Sequence, residues 1–319
     1  MAKIARHPHL QAELHAKLEK YEFELYSAYS GSGAAEQIVR EVREALQLVT
    51  PSVPDFMTCV QCCDNNDICK KVLQMIPEGP ERPQHGFGDI NDLVTAEELS
   101  SLRRIVGDYA EVLEGLKTNK FGDMPSDPVI RKLTIREHQR RLGLDLLDAL
   151  INVAKDIDFH GRQAFCFMRN RMCPACPGDA EARTVRLFIA GHSCKAWSVF
   201  GNQDGWVSDD AVTFVIYLYS MLAARPDFFI GECTLKFDHD VYAKIYKSHG
   251  YKFFTAVEGQ IDSGFPGSRI RKIFILMDER KWKTNMEPDS RAFKEFFSRK
   301  VATFGDAYFQ APEDLRKLL

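Results

Sequence analysis

Short apolar runs that are typical of buried strands alternate along this chain with patterns typical of amphipathic helices. The pattern predicts strands at 23–29, 56–63, 185–190, 227–231, 252–257 and 272–277, and a short piece ending at 88–90. It predicts helices at 6–20, 34–48, 67–75, 211–224 and 241–249. Such alternation favours an α/β fold with a mostly parallel sheet covered on both faces. Ligands of these sheets bind at the carboxyl ends of the strands.

The composition narrows the class of protein. A chain of 319 residues with 45% apolar residues is long enough for one large α/β domain or two smaller ones. Its formal net charge of −3 argues against binding nucleic acid by overall charge, so any such contact requires a local basic patch. Nine cysteines, without a signal-peptide pattern or an apolar run of membrane-spanning length, favour an intracellular location and no membrane partner.

Residues 95–183 interrupt the alternation. Two long helical patterns, Glu97–Thr118 and Ile135–Val153, flank a turn-rich linker, and a cysteine-containing stretch follows them. We therefore expect a core of two parts, 1–94 and 184–319, with a helical, cysteine-containing insertion at 95–183. The part at 184–319 ends in a short C-terminal tail.

A cysteine follows the predicted strand Val185–Ala190, in the small-residue loop that begins at Gly191. An α/β enzyme exposes a nucleophile at such a place, whereas a lone cysteine taken by itself is more often a buried structural thiol. Glu232 ends the next predicted strand, and a glutamate there could protonate a heterocyclic ring while Cys194 attacks it.

Polar or small residues also follow the first three predicted strands. The loop Tyr29–Ala34 contains two glycines before a helix, which is typical both of nucleotide-type sites and of ordinary turns. Asp64 and Asp89 come at later strand ends, where an acid can hydrogen-bond a ribose or simply lie in solvent. Arg269 and Arg271 alternate before the last strand, so they would face one side and suit a phosphate or carbonyl, or lie solvated at an edge.

Four residues near the end of the insertion form a candidate zinc set. Cys173 and Cys176 have the two-residue gap of a zinc knuckle, but the second pair, His160 and Cys166, is loosely spaced. Reduced thiols are therefore favoured over structural zinc, and a redox pair is the third alternative.

The order of these segments resembles the catalytic domain of the cytosine-5 DNA methyltransferase family, which includes a branch acting on transfer RNA. The resemblance covers about 21–93 and 184–278 and includes Trp197–Gly201, Arg225–Thr234, His249–Tyr251 and Ser263–Pro266. It excludes the insertion, and neither the family's target-recognition domain nor its closing motifs are recognisable here.

The resemblance implies a Rossmann-like class I methyltransferase sheet with S-adenosylmethionine as cofactor. The catalytic residues that it implies are Cys194, Glu232, Arg269 and Arg271, with no metal required. The cofactor-binding residues that it implies are Tyr29, Ser30, Gly31, Ser32, Gly33, Asp64, Asn65, Asp89, Ile90 and Ser193.

Several supporting residues depart from the family pattern. The usual Pro-Cys-Gln is Ser193-Cys194-Lys195, and the usual Glu-Asn-Val is Glu232-Cys233-Thr234. One alternative is therefore a degenerate member that binds cofactor or nucleic acid as a partner subunit without turnover. Another is an unrelated cysteine enzyme, but the sequence offers no convincing cysteine–histidine pair, since His192 precedes the nucleophile.

The resemblance implies nucleic acid as the substrate, with DNA favoured over RNA, and a nuclear location if the protein is eukaryotic. Because the overall charge is slightly negative, we expect binding through local basic segments, which would let the insertion replace the missing recognition domain. Solvated helix faces are the alternative explanation of these charges. The candidate segments are 103–104, 131–132, 136–141 and 162–171.

Overall fold

The structure is a computed structural model that describes residues 8–31, 33–49, 56–118, 120, 122, 124–198, 204–259 and 270–284. Its Cα positions divide the chain into two units, Met1–Phe229 and Ile230–Leu319. Within the described residues, no helix is both long enough and apolar enough to span a bilayer.

The first unit alternates strands and helices before and after the insertion. Its strands are β1 (Glu22–Ala28), β2 (Met57–Cys63), β3 (His85–Phe87), β4 (Gln163–Cys166), β5 (Arg171–Pro174) and β6 (Thr184–Gly191). Its helices are α1 (Pro8–Lys20), α2 (Ala34–Val49), α3 (Asp67–Gln74), α4 (Ala96–Lys117), α5 (Pro128–Ala154) and α6 (Asp210–Ala224), with a 3₁₀ helix at Ile90–Leu93. The strand β7 (Phe228–Cys233) begins at the end of this unit.

Strand β1 is the centre of the sheet and is parallel to both of its neighbours. Its register pairs Ala28 with Ala190 of β6 and Leu25 with Cys59 of β2. Strand β3 is parallel to β2, so the order of the core strands in this unit is β3-β2-β1-β6. This order is that of a Rossmann-like sheet, and it confirms the predicted α/β fold.

The helix α2 packs against this sheet because its apolar residues recur at helical spacing. The buried cluster that results joins α1, β1, α2 and β2 and excludes water from the sheet face. Its members are Leu18, Leu25, Ala35, Val39, Leu46, Phe56, Met57 and Cys59.

The insertion differs from its prediction in two respects. Helix α5 begins at Pro128 rather than at Ile135, because the Asp127 carboxylate accepts the backbone N–H groups of Val129 and Ile130, and proline suits the first helical position. The insertion is also not wholly helical. Strands β4 and β5 form an antiparallel hairpin, and β4 extends the sheet by pairing antiparallel with β3.

The second unit contains the end of β7, helix α7 (Asp240–Tyr246), a 3₁₀ helix at Lys247–His249, and strands β8 (Tyr251–Gly259) and β9 (Ile270–Asp278). The last two strands pair antiparallel along their whole length, and β9 lies next to β7 in the sheet. Gly231 of β7 lies against the ring of Phe274 of β9, so closely that a Cβ at this position would overlap with the ring.

We predict that Gly231→Ala lowers the free energy of unfolding by about 1–3 kcal/mol, because the buried ring or the strand must move. The matched control is Gly107→Ala in α4, where no described heavy atom lies within 4 Å of the added Cβ. That variant should gain about 0.5–1 kcal/mol from better helix propensity. Chemical denaturation of the wild type, Gly231→Ala and Gly107→Ala measures both changes in the free energy of unfolding. Equal stability of the two variants would contradict the prediction.

Candidate functional site

The loop after β1 has the backbone of a ligand-binding turn. Tyr29 has φ 53°, in the left-handed region that a tyrosine rarely adopts, and Gly31 and Gly33 have φ 58° and 86°. No described heavy atom lies within 4 Å of the Cβ that Gly31 lacks, so its backbone borders open space. Ser32 lies outside the described residues.

Ser30 fastens this loop to the end of β2. Its backbone N–H donates to the Cys63 carbonyl over 3.1 Å, and the Cys63 N–H donates to the Ser30 hydroxyl over 3.2 Å. The buried hydroxyl of Ser27 lies 2.7 Å from that of Ser30. The loops that follow β1 and β2 are thus held together by backbone and hydroxyl groups.

Asp64 makes the most direct link between the two loops. One carboxylate oxygen accepts the Gly31 N–H over 2.7 Å, and the other accepts the Asn66 N–H over 2.9 Å. Asn66, which sequence reasoning did not single out, caps α3 by accepting from Ile68 and Cys69. The Cys69 thiol also hydrogen-bonds to Asp64, and because a carboxylate has about four acceptor sites, acceptor capacity remains for a ribose. Asn65 beside it is exposed.

The third acid, Asp89, follows β3 and caps the 3₁₀ helix by accepting the Asn91 N–H over 2.9 Å. Ile90 is 5% exposed and lines a cavity of about 40 Å³ beneath the sheet, together with Phe87 and Met221. That cavity has room for water but not for a cofactor. A contribution of Ile90 to a ligand would therefore come through its backbone.

These groups fit S-adenosylmethionine in their chemistry. The glycine backbone at Gly31 approaches open space, and Asp64 offers acceptors of the kind that a ribose needs.

A buried acid beneath the loop was missed by sequence reasoning. Glu36 is fully buried in the first turn of α2, where it accepts a short hydrogen bond from the Ser27 hydroxyl. Burial raises the pKa of its carboxyl group, and the nearby charge of Asp64 raises it further. Its other oxygen, Oε2, is buried without a hydrogen-bond partner among the described residues. The position of Glu36 just after a glycine loop was the available signal.

Cys194 lies three residues beyond the end of β6, in a turn whose residues bond back to it. Its carbonyl accepts the N–H groups of Trp197 and Ser198, and the Ser193 hydroxyl donates to Asp210 over 3.0 Å. The Cys194 side chain is partly exposed, as a nucleophile must be. Residues 199–201, the rest of the predicted motif, lie outside the described residues.

The three thiols of β2 are less accessible. Burial raises the pKa of each of the three cysteines of β2, which therefore stay protonated and inert. These residues are Cys59, Cys62 and Cys63.

His192 is unsuited to act as a base for Cys194. Its ring is buried among aromatic side chains, which include Tyr29, Phe214 and Tyr217. This burial lowers its pKa to about 3, so the imidazole stays neutral at physiological pH. The arrangement disfavours the alternative of a cysteine–histidine enzyme.

In the second unit, Glu232 forms an ion pair with Arg271. The Arg271 Nε lies 2.5 Å from a Glu232 carboxylate oxygen, and the Glu232 side chain is 43% exposed. Glu232 lies within β7, which continues to Cys233, whereas the sequence pattern placed it at the end of the strand. Arg269 lies outside the described residues.

The candidate zinc set is regrouped in the structure. Cys166 and Cys173 come together with His85, a residue that sequence reasoning did not consider, and their ligand atoms all lie within 4.8 Å of one another. His160 is exposed and Cys176 is not in this group. Burial raises the pKa of Cys176 to about 11.

Several of the basic residues in the insertion are engaged within the protein. Arg162 forms a bidentate pair with Glu98 at 2.8 and 2.9 Å, and Arg169 donates to the Gln84 carbonyl. Arg103 and Arg104 are exposed on α4. A nucleic-acid contact therefore has better candidates in α4 than at Arg162.

Arg140 and Arg141 share Glu137 as their partner, with nitrogen–oxygen distances of 3.1 and 2.9 Å. All three side chains are largely in solvent, and this local pairing offsets part of the positive charge of α5.

Comparison with known proteins places the chain near methyltransferases at low similarity. No protein-family model and no curated protein matches it. Similar solved structures include a protein described as a DNA modification methyltransferase from an E. coli prophage (13% identity, TM-score 0.42) and the Dnmt2 methyltransferase of S. pombe (10%, 0.41). A DNMT2 variant from Spodoptera frugiperda has 10% identity and a TM-score of 0.40.

The three comparisons cover 92%, 91% and 84% of this chain. The chain spans only about half the length of those proteins, 56%, 56% and 54% respectively. At this identity and overlap they identify neither the activity nor the substrate of this chain. Both are argued below from its own residues.

We predict that Glu36→Gln gains stability relative to the wild type as pH rises. Because the carboxyl pKa of Glu36 is raised in the folded state from its ordinary value of 4.5, this group contributes stability below that pH. The contribution is lost as pH rises through the folded-state pKa. Urea unfolding from about pH 4.5 to about pH 8 should show the difference between the two proteins growing. Glu44→Gln, at an exposed position of the same helix, should show no such trend. A pH-independent difference for Glu36→Gln would contradict the prediction.

Proposed function

We propose that the protein transfers a methyl group from S-adenosylmethionine to carbon 5 of cytosine in nucleic acid, DNA in preference to RNA, through a covalent adduct at Cys194. The observation that supports this most is the ion pair of Glu232 and Arg271, an acid and an arginine at positions that match the family's catalytic motifs. Cys194, partly exposed after β6, supplies the matching nucleophile.

The cofactor would be held by the loops after β1, β2 and β3. The Gly31 backbone would lie against it, and the remaining acceptor sites of Asp64 would bind its ribose hydroxyls. Asp89 would accept from the adenine amino group. When bound, S-adenosylmethionine supplies an electrophilic methyl group.

The protein's residues would make cytosine nucleophilic at carbon 5. The target base leaves its stack, and the Cys194 thiolate forms a bond to ring carbon 6. Glu232 holds ring nitrogen 3 and delivers a proton there, so the electron pair of the ring collects on carbon 5. After methylation, a base removes the carbon 5 proton, the thiolate leaves, and ring nitrogen 3 returns its proton to Glu232, which restores the neutral aromatic ring.

Arg271 would orient Glu232 for this role, and Arg269 would hold the base carbonyl. The fork of a guanidinium fixes a carboxylate more firmly than a lysine does, because two or more N–H groups share a plane. The insertion would contact the nucleic-acid backbone through exposed cations such as Arg103 and Arg104.

We predict that Cys194→Ser lowers methyl transfer to cytosine-containing DNA by roughly 10³-fold or more, since a serine hydroxyl is far less nucleophilic than a thiolate. Binding of S-adenosylhomocysteine should stay unchanged, because the nucleophile lies outside the proposed cofactor loops. Methyl transfer is measured with a labelled methyl group on mixed-sequence DNA and RNA, and S-adenosylhomocysteine binding is measured by calorimetry.

The matched control is Cys176→Ser, a partly exposed cysteine of the first unit that lies outside the proposed site and should keep full activity. Normal transfer by Cys194→Ser would refute the proposed nucleophile. Wild-type protein that binds S-adenosylhomocysteine but methylates neither nucleic acid would favour a degenerate, binding-only protein.

We also predict that Asp64→Ala weakens S-adenosylhomocysteine binding about 10- to 100-fold. The substitution removes charge-assisted hydrogen bonds to Gly31 and Asn66 as well as the proposed ribose acceptors, each worth about 1.5–3 kcal/mol. Asp67→Ala, an exposed acid in the first turn of α3, should change the affinity little. Equal affinities of the two variants in a calorimetric titration would argue against a cofactor site at this loop.

A further inference from the structure

Three side chains with metal-ligating atoms lie on one face of the sheet edge formed by β3, β4 and β5. The register places Cys166 opposite Phe87 on one side and opposite Arg171 on the other. Residues two apart in a strand share a face. His85 therefore lies on the face of Phe87, Cys173 lies on the face of Arg171, and both are on the face of Cys166.

The distances and burial of these groups suit a bound ion. The ligand atoms of His85, Cys166 and Cys173 all lie within 4.8 Å of one another. A tetrahedral zinc ion, with bonds of about 2.3 Å to sulfur and about 2.0–2.1 Å to nitrogen, holds its ligand atoms roughly 3.5–3.8 Å apart. Small side-chain rotations would close that difference. The two cysteines are 0% and 2% exposed, so the sulfurs are shielded from competing water.

Two polar atoms at this cluster point to a ligand. The Nδ1 atom of His85 is buried without a hydrogen-bond partner among the described residues, which is costly for a ring nitrogen. Coordination through Nδ1 would remove that cost. The Cys166 sulfur accepts the backbone N–H of Gly86 over 3.3 Å, an interaction that stabilises a metal-bound thiolate.

We propose that His85, Cys166 and Cys173 bind one Zn²⁺ ion, a site that fastens the β4–β5 hairpin to β3. Imidazole and thiolate ligands favour zinc over magnesium or calcium, which prefer oxygen. Three protein ligands leave the fourth position to a water molecule. Binding releases the two thiol protons to solvent, so the ion, the two thiolates and the neutral imidazole carry no net charge.

The charges around the cluster are compatible with this site. Arg171, the cross-strand partner of Cys166, and Arg169 are the cations whose charge acts on His85. A site that is neutral overall does not repel these cations. His85 belongs to β3, which directly precedes Asp89 in the chain, so the site would fix the strand that leads to the proposed adenine contact.

The test compares this set with the one that the sequence spacing favoured. The zinc content of the full-length protein is measured by elemental mass spectrometry. The metal-free protein is then titrated with Co²⁺, because thiolate-to-cobalt charge-transfer absorbance reports sulfur ligands. We expect about one zinc per chain in the wild type. His85→Ala, Cys166→Ser and Cys173→Ser should lose it, while the matched controls His160→Ala and Cys176→Ser should keep it.

Circular dichroism checks that each variant is folded, and the wild-type Co²⁺ titration decides independently of the variants. No zinc and no thiolate–cobalt absorbance in the wild type would overturn the proposal. Loss of zinc from His160→Ala and Cys176→Ser, with retention in His85→Ala, would also overturn it. A wild-type mass two hydrogens lower, located to Cys166 and Cys173, would mean a disulfide instead. None of these readouts depends on methyl transfer.

Discussion

Parallel pairing of β1 with both β2 and β6 is the constraint on which the rest of the first unit depends. It brings the ends of three strands to one edge, so the loops that follow them must share space. The hydrogen bonds from Gly31 to Asp64, and between Ser30 and Cys63, then give those loops a defined shape. The Cys194 turn follows the third of these strands. A glycine loop, an acid and a thiol that are distant in sequence thereby acquire fixed backbone positions.

Much of this fold could be predicted from sequence because its strands are buried on both faces and appear as short apolar runs. The same reasoning failed where local signals were misinterpreted. Asp127 and Pro128 look like part of a linker, yet they are the cap and first residue of α5. The β4–β5 hairpin has exposed apolar residues such as Phe165 and Met172, and it is defined by pairing with β3 about eighty residues earlier in the chain. No local pattern contains that pairing.

In the candidate site, too, some residues could be predicted from the sequence and others could not. Asp64, Asp89 and Cys194 could be singled out because strand ends can be read from a sequence. Glu36 had only a weak signal, its position after a glycine loop, and His85 had none, since their roles arise from burial and from neighbours on other elements. Spacing grouped Cys166 and Cys173 with His160 and Cys176, whereas strand register groups them with His85.

The most direct test of the account is covalent trapping on a cytosine that carries fluorine at carbon 5, because a base cannot remove that atom and the thiolate cannot then leave. The full chain is incubated with S-adenosylmethionine and mixed-sequence DNA or RNA containing this base. The account predicts an adduct on DNA that mass spectrometry locates to Cys194, that requires the cofactor, and that Cys194→Ser does not form. Cofactor binding without any adduct on either nucleic acid would contradict it.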